Sequence, residues 1–361
     1  MTPDVLIVGA GIVGAACARE LRNAGVKVAV VERDLIGGGA TAAGMGHLLV
    51  LDDNEPELAL TKLSVALWHS IAPQLPAPAE FWKCGTLWVA ADDVELAGAR
   101  EKLAVYRKHG LQAELLDDAT LYEVEPHLRP GLAGGLRAPG DAVVYAPVAT
   151  RWMLADVRVT HGRVVELIDG GVRLADGSVL RAGAVVLATG ASSLIDGLAV
   201  RPRKGHLAIT DRYPGFARHQ IIELSYLQSA QGESNESVAF NVQPRPTGQL
   251  LIGSSRQYGV DDSAIDDPIL ARMLARAFEY MPALAQCNVI RTWTGFRAST
   301  PDKLPLIGKY GEGLYLATGH EGLGVTTSLG TAKILAAAVL GTPSPIPPEP
   351  YDARRFCARN D

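Results

Sequence analysis

The chain has 361 residues, 48% of them hydrophobic and 20% charged, with a formal net charge of −5. This balance excludes wholesale disorder, offers no basic block to nucleic acid, and contains no run of the roughly 18 apolar residues that a membrane helix needs. The length suffices for two lobes, and the cysteines (Cys17, Cys84, Cys287 and Cys357) lack the C-x-x-C spacing of zinc or iron–sulfur ligands.

In chain order, "VLIV" (5–8) is four apolar residues in a row, as in a strand covered on both faces. This run leads straight into a glycine turn and not into a cleavage site, so cytoplasmic residence is expected. A helix is predicted over 11–23, ended by Gly25, and a second strand over 26–32, completing a β-α-β unit. The segment "GGGATAAGMG" (37–46) is a small-residue loop. Helices are predicted over 57–75 and 94–109, with a strand over 84–91 between them. A short helix is expected within 115–128, stopped by Pro126, and another over 147–156. A meander follows over 163–190, turning at Asp169-Gly170-Gly171 and at Asp176-Gly177 and ending in a buried strand. Strands at 206–210, 237–245 and 248–256 suggest an antiparallel sheet. A helix over 269–281, strands over 289–299 and 313–319, and a helix over 324–340 complete the pattern. The proline-rich segment after it is expected to lie extended on the surface. The expected class is mixed α/β: a Rossmann-type lobe built from 1–80, 140–205 and 290–361, with an antiparallel-sheet substrate lobe at 81–139 and 206–289 inserted into it.

Gly9, Gly11 and Gly14 stand in G-x-G-x-x-G spacing between strand and helix. In that setting the first glycine permits the turn, the second lets a pyrophosphate approach the backbone, and the third lets helix and strand pack closely. Ile12 and Val13 open the helix, whose free N–H groups face an anion. Glu32 ends the second strand, where a carboxylate accepts ribose hydroxyls and repels a 2′-phosphate. NAD and FAD both fit this much. Two later glycine corners, at Thr189-Gly190 and at Gly319, Gly322 and Gly324 before a helix, favour a long cofactor gripped at both ends, hence FAD.

Five segments carry a resemblance: "DVLIVGAGIVGAACARELRNAGVKVAVVER", "GGGATAAGMGHL", "LATGAS", "GFRASTPDKLPLIG" and "GHEGLGVTTSLGTAKILA". In this order they resemble the D-amino-acid oxidase and glycine oxidase superfamily of FAD-dependent oxidoreductases over nearly the whole chain. "TAAGMGHLLVLDD" and "VAFNVQPRPTGQLLIGSSRQ" are most similar to the FAD-bearing subunits of bacterial D-hydroxyproline dehydrogenases. The resemblance implies that Glu32 and Arg33 flank the adenosine ribose, with Val164 and Val165 by the adenine. It places Thr41, Ala42, Ala43, Gly44, Gly46 and Gly190 around the pyrophosphate and flavin, and Gly319, Gly322, Leu323, Gly324, Val325 and Thr326 over the ring. No cysteine falls near His47 or His320, so the FAD is expected to be non-covalent. The crossover helix after "YAPVATRWML" is shorter than the resemblance implies.

By the same resemblance Arg297 holds the substrate carboxylate, a task suited to a planar guanidinium with two parallel N–H donors. Arg245 and Arg256 compete for that role, and strand alternation does not choose between them. Tyr226 either bonds the carboxylate or packs in the core. His47 and His320 either line the flavin or act in acid–base catalysis. Alternation also offers Asn241 and Gln243 to a substrate hydroxyl. The expected reaction oxidises the C–N bond of a small, cyclic D-amino acid by hydride transfer to the flavin, with Arg297, His47 and Tyr226 as the catalytic candidates and no metal. Electrons would pass to partner subunits carrying iron–sulfur clusters. Rival expectations are a stand-alone oxidase that makes hydrogen peroxide, an NAD-dependent dehydrogenase and a non-catalytic flavin subunit.

Overall fold

The computed structural model describes residues 2–225 and 235–357. Two sheets organise it. The first runs in the order Leu306–Gly311, Leu314–Thr318, Ala184–Leu187, Val5–Val8, Val28–Glu32 and Arg158–His161. Every neighbouring pair is parallel except the first, which is antiparallel. The four apolar residues of the first strand divide by alternation. Val5 and Ile7 pack under the helices Ile12–Asn23 and Gly324–Leu340, while Leu6 and Val8 pack under the meander at Val172 and Leu174. A strand covered on both faces therefore needs the unbroken apolar run seen in the sequence.

The second sheet has eight strands, ordered Val289–Ser299, Arg201–Arg212, Gln249–Tyr258, Glu236–Pro244, Gln220–Glu223, Thr86–Ala90, Gly134–Ala138 and Glu114–Leu116. It is not wholly antiparallel. Gln220–Glu223 runs parallel to Thr86–Ala90, with Gln220 opposite Thr86. The buried Gln220 Nε2 donates to Thr86 Oγ1 at 2.7 Å across that junction. The boundaries expected at 205/206 and 289/290 fall inside the strands Arg201–Arg212 and Val289–Ser299, so 201–205 and 290–299 stand with the eight-stranded sheet. The reason is register: Arg201 pairs with Ser299 and Arg203 with Arg297 in one continuous ladder.

Local departures are small. The small-residue loop contains a short helix, Gly39–Ala43. Within 115–128 a strand, Glu114–Leu116, precedes the helix Asp118–Val124, because the Asp117 side chain accepts from Thr120 N and caps the helix there. Among the described residues no helix is long and apolar enough to cross a membrane, and no group of three or more His, Cys, Asp or Glu is placed to hold a metal.

Candidate active site

The site starts at the glycine turn. Gly9 has φ +108°, and a Cβ on Gly14 would sit 2.1 Å from the Gly9 carbonyl oxygen, so the third glycine is required by contact. The Ile12–Asn23 helix has no side-chain N-cap bond. Glu32 spans the turn: its carboxylate accepts from Ala10 N at 2.7 Å and from Asp34 N at 2.9 Å. Each carboxylate oxygen keeps a lone pair for a further donor. Ile12 N donates to Thr41 Oγ1 at 3.0 Å and ties the small-residue loop to the turn.

A cavity of about 530 Å³ runs from Glu32, Arg33 and Val164, past Gly9, Gly11, Ile12, Val13, Thr189 and Gly190, to the second sheet. Thr41, Ala43, Gly44, Gly46 and His47 form one wall there, and His320, Gly322, Gly324 and Val325 another. The remaining expected cofactor residues sit off the wall. Gly14 is behind the turn, and Ala42 faces a second cavity of about 440 Å³. Val165 is 49% exposed where Val164 is buried, because adjacent strand residues point to opposite faces. Gly319, with φ +80°, and Leu323 support the corner from behind. Thr326 acts indirectly: its Oγ1 donates to the His47 carbonyl oxygen at 2.8 Å. Tyr226 lies outside the described residues. No cysteine lines the cavity.

Tertiary structure separates the three competing arginines. Arg297 lines the cavity, and its Nη1 donates to Ser255 O at 3.0 Å. A Cβ on Gly205 would lie 2.3 Å from Arg297 Nη1, so a glycine on the neighbouring strand makes room for the guanidinium. Arg245 instead makes a two-pronged ion pair with Glu80, at 2.6 and 2.9 Å, beside the second cavity. Arg256 is buried and lines neither cavity.

Asn241 and Gln243 part company in the same way. Asn241 lines the first cavity, whereas Gln243 lines the second and donates from Nε2 to Met45 O at 2.8 Å. Both sit on one face of a strand, and Met45 lines both cavities. Sequence reasoning missed His206, Ser254, Phe296 and Glu321 on the first cavity. His206 is held neutral: Asp266 N donates to its Nε2 at 3.0 Å, so Nδ1 carries the proton toward Ser255 Oγ at 2.9 Å, and burial lowers its pKa. Glu321 adopts φ +48°, rare for a non-glycine residue, with its carboxylate 3.1 Å from the buried Arg203 guanidinium. The backbone strain there was a signal that no motif carried.

His320 is buried, with Nε2 3.0 Å from Thr331 Oγ1, and burial pulls its pKa down to about 3. It anchors the last helix as a neutral ring. His47 is half-buried, but its Nε2 is buried without a hydrogen-bond partner among the described residues, and desolvation draws its pKa from 6.5 down to about 4. Between those two values the unfolded chain holds the extra proton, so the His47 contribution to stability falls as pH drops through that window. In activity the expectation is equally definite. The ring stays neutral above pH about 5, so His47→Asn changes the level of kcat/KM and leaves the position of every limb above that pH where it was. A limb near 6.5 that vanishes in the variant would show that His47 titrates in function.

The donors match FAD. A glycine cradle with no room for a Cβ and a carboxylate aimed past it suit the adenosine and pyrophosphate. The helix Gly324–Leu340, which has no side-chain cap bond, presents its first turn at the other end of the cavity. Together with the covering sheet, these features define a two-lobed dinucleotide-binding flavin oxidoreductase. The FAD dependent oxidoreductase family pattern matches residues 4–338, and the chain belongs to that family. The glycine oxidase of Pseudomonas aeruginosa is 28% identical over 97% of this chain and 98% of its own length. The bifunctional protein ThiO/ThiG of Trichormus variabilis is 30% identical over 93% of this chain, which spans about half, 52%, of that relative. The crystal structure of glycine oxidase from Geobacillus kaustophilus is similar with a TM-score of 0.88, at 26% identity, over 98% of this chain and 99% of that one.

Proposed function

We propose that this FAD-dependent enzyme oxidises the C–N bond of a small amino acid, cyclic and D-configured as in D-hydroxyproline. The observation that carries this reading is Arg297 on the cavity wall beside Gly322 of the third glycine corner, with Gly205 leaving it space. Its guanidinium binds the substrate carboxylate and fixes its plane. The partly enclosed cavity limits water around that contact and strengthens it. Held by the Gly9–Gly14 turn, Glu32 and the first turn of the Gly324–Leu340 helix, FAD would supply the two-electron acceptor for the α-hydrogen as hydride, and the amine, having lost its own proton, would be left as an imine. His47 and His206, both neutral, shape the pocket without adding a charge that would compete for the carboxylate. The imine is released to water, where hydrolysis opens it.

The electrons are proposed to leave to partner subunits carrying iron–sulfur clusters. The similarity to glycine oxidases along nearly the whole chain favours a second reading, in which the enzyme works alone, reduces oxygen and makes hydrogen peroxide. One pair of measurements tests both. Anaerobic addition of D- and L-amino acids, hydroxyprolines included, should bleach the yellow holoenzyme with a D-configured cyclic substrate; bleaching by glycine or L-amino acids alone would overturn the substrate assignment. An oxygen electrode then decides the acceptor: little oxygen uptake during dye-linked turnover supports the dehydrogenase, and stoichiometric peroxide supports the oxidase.

A further inference from the structure

Asn241 and Ser254 stand together on the wall of the flavin cavity. Their strands, Glu236–Pro244 and Gln249–Tyr258, pair antiparallel, with Asn241 opposite Gly253, the residue next to Ser254. Both residues belong to the lining of the cavity that Arg297 also lines. They are 2% and 3% exposed. Neither Asn241 Oδ1 nor Ser254 Oγ has a hydrogen-bond partner among the described residues. A buried amide oxygen and a buried hydroxyl left unsatisfied in the lining of one cavity are costly, and native structures keep such groups where something binds them. Met45, Leu207 and Phe296 are apolar residues of the same cavity lining.

The chemistry of the pair narrows the ligand group. An amide offers a carbonyl acceptor and two donors, and a serine hydroxyl offers one donor and accepting lone pairs. Neither carries charge, so the pair suits a group that is itself neutral and both donates and accepts. Arg297 supplies the charge for the carboxylate at another point of the same cavity. We propose that Asn241 and Ser254 bind a hydroxyl on the substrate remote from its carboxylate, and so select a hydroxylated ring over the unsubstituted one. This rests on the proposed amino-acid oxidation and adds the substituent that the site reads. A site built to bond a hydroxyl discriminates strongly against the analogue lacking it, because its polar atoms are then left unpaired.

The test compares kcat/KM for D-4-hydroxyproline and D-proline in the holoenzyme, by reduction of an artificial dye under nitrogen. The wild type is expected to favour the hydroxylated substrate by about 100-fold or more. Asn241→Leu, close in volume, and Ser254→Ala should each lower that ratio about 10-fold. FAD content and melting temperature are measured on every variant, and a ratio of two substrates on one preparation is insensitive to a merely structural loss. If Asn241→Leu does not fold, Ser254→Ala alone decides. Equal use of both substrates by the wild type, or a wild-type ratio in an FAD-loaded variant, overturns the assignment of the pair while leaving amine oxidation standing. If neither compound, nor any other amino acid, reduces the flavin, the underlying reading of the site falls, and the role of the pair falls with it.

Discussion

Arg297→Lys is expected to raise KM for the amino-acid substrate about 100-fold, with FAD still bound and the yellow spectrum intact. The argument begins with geometry. A guanidinium gives two parallel N–H donors in a plane, and one nitrogen of Arg297 is already committed to Ser255 O at 3.0 Å, which fixes the orientation of that plane. Lysine keeps the charge and loses both the fork and the anchored plane. The carboxylate would still be attracted but no longer held at one angle, so the α-hydrogen wanders from the reacting position and kcat falls as well. A companion variant, Gly205→Ala, probes the same feature from the opposite strand. Its Cβ would lie 2.3 Å from Arg297 Nη1, so the guanidinium must move, and KM should rise although no charge has changed. Steady-state kinetics on FAD-saturated enzyme measures both. A wild-type KM in Arg297→Lys would remove Arg297 from the substrate site.

The second large effect is Gly14→Ala, expected to yield a colourless or weakly coloured protein. The added methyl carbon would stand 2.1 Å from the Gly9 carbonyl oxygen and 3.3 Å from the Ala188 Cβ, inside a turn bounded by backbone. Backbone cannot rotate away as a side-chain tip can. The turn must therefore open, which displaces the helix N-terminus and Glu32 from the pyrophosphate and ribose positions at once. Overpacking of this kind costs about 1–3 kcal/mol in stability, and the loss of FAD adds to the effect by removing a ligand that binds only the folded state. Gly98→Ala is the control: nothing lies within 4 Å of its added Cβ on the helix Asp93–Lys108, so it should be neutral or stabilise by about 0.5–1 kcal/mol. The flavin-to-protein absorbance ratio and thermal melts of purified protein report both. Full FAD occupancy in Gly14→Ala would mean that the turn does not grip the cofactor as described.

Much of the FAD half was legible in the linear order of residues, because its parts are local. The G-x-G-x-x-G turn, the strand before it, the helix after it and Glu32 lie within one short unit whose hydrogen bonds close on themselves, Ala10 N to Glu32 included. The helix over 324–340 and the strand over 289–299 were readable for the same reason: period and composition mark them without help from elsewhere. Val165 shows where local reading fails. Two adjacent valines look alike in sequence, and only the sheet decides that Val164 faces inward.

The substrate half depends on contacts between residues far apart in the chain. Nothing local distinguishes Arg297 from Arg245 and Arg256, since all three lie on strand or strand-end segments of similar polarity. The pairing of Arg203 with Arg297 and the gap left by Gly205 bring one guanidinium to the cavity, while Glu80 takes another. Asn241 and Gln243 have the same alternation, yet Gln243 is bonded to the Met45 carbonyl, about two hundred positions away in sequence, and the two residues line different cavities. The amino-acid order by itself determined that a dinucleotide cofactor is held by glycine corners, because backbone space and helix ends are properties of short segments. Which polar residues share the cavity lining was decided only by tertiary structure, because strand register across the eight-stranded sheet sets their positions and no short segment encodes that register.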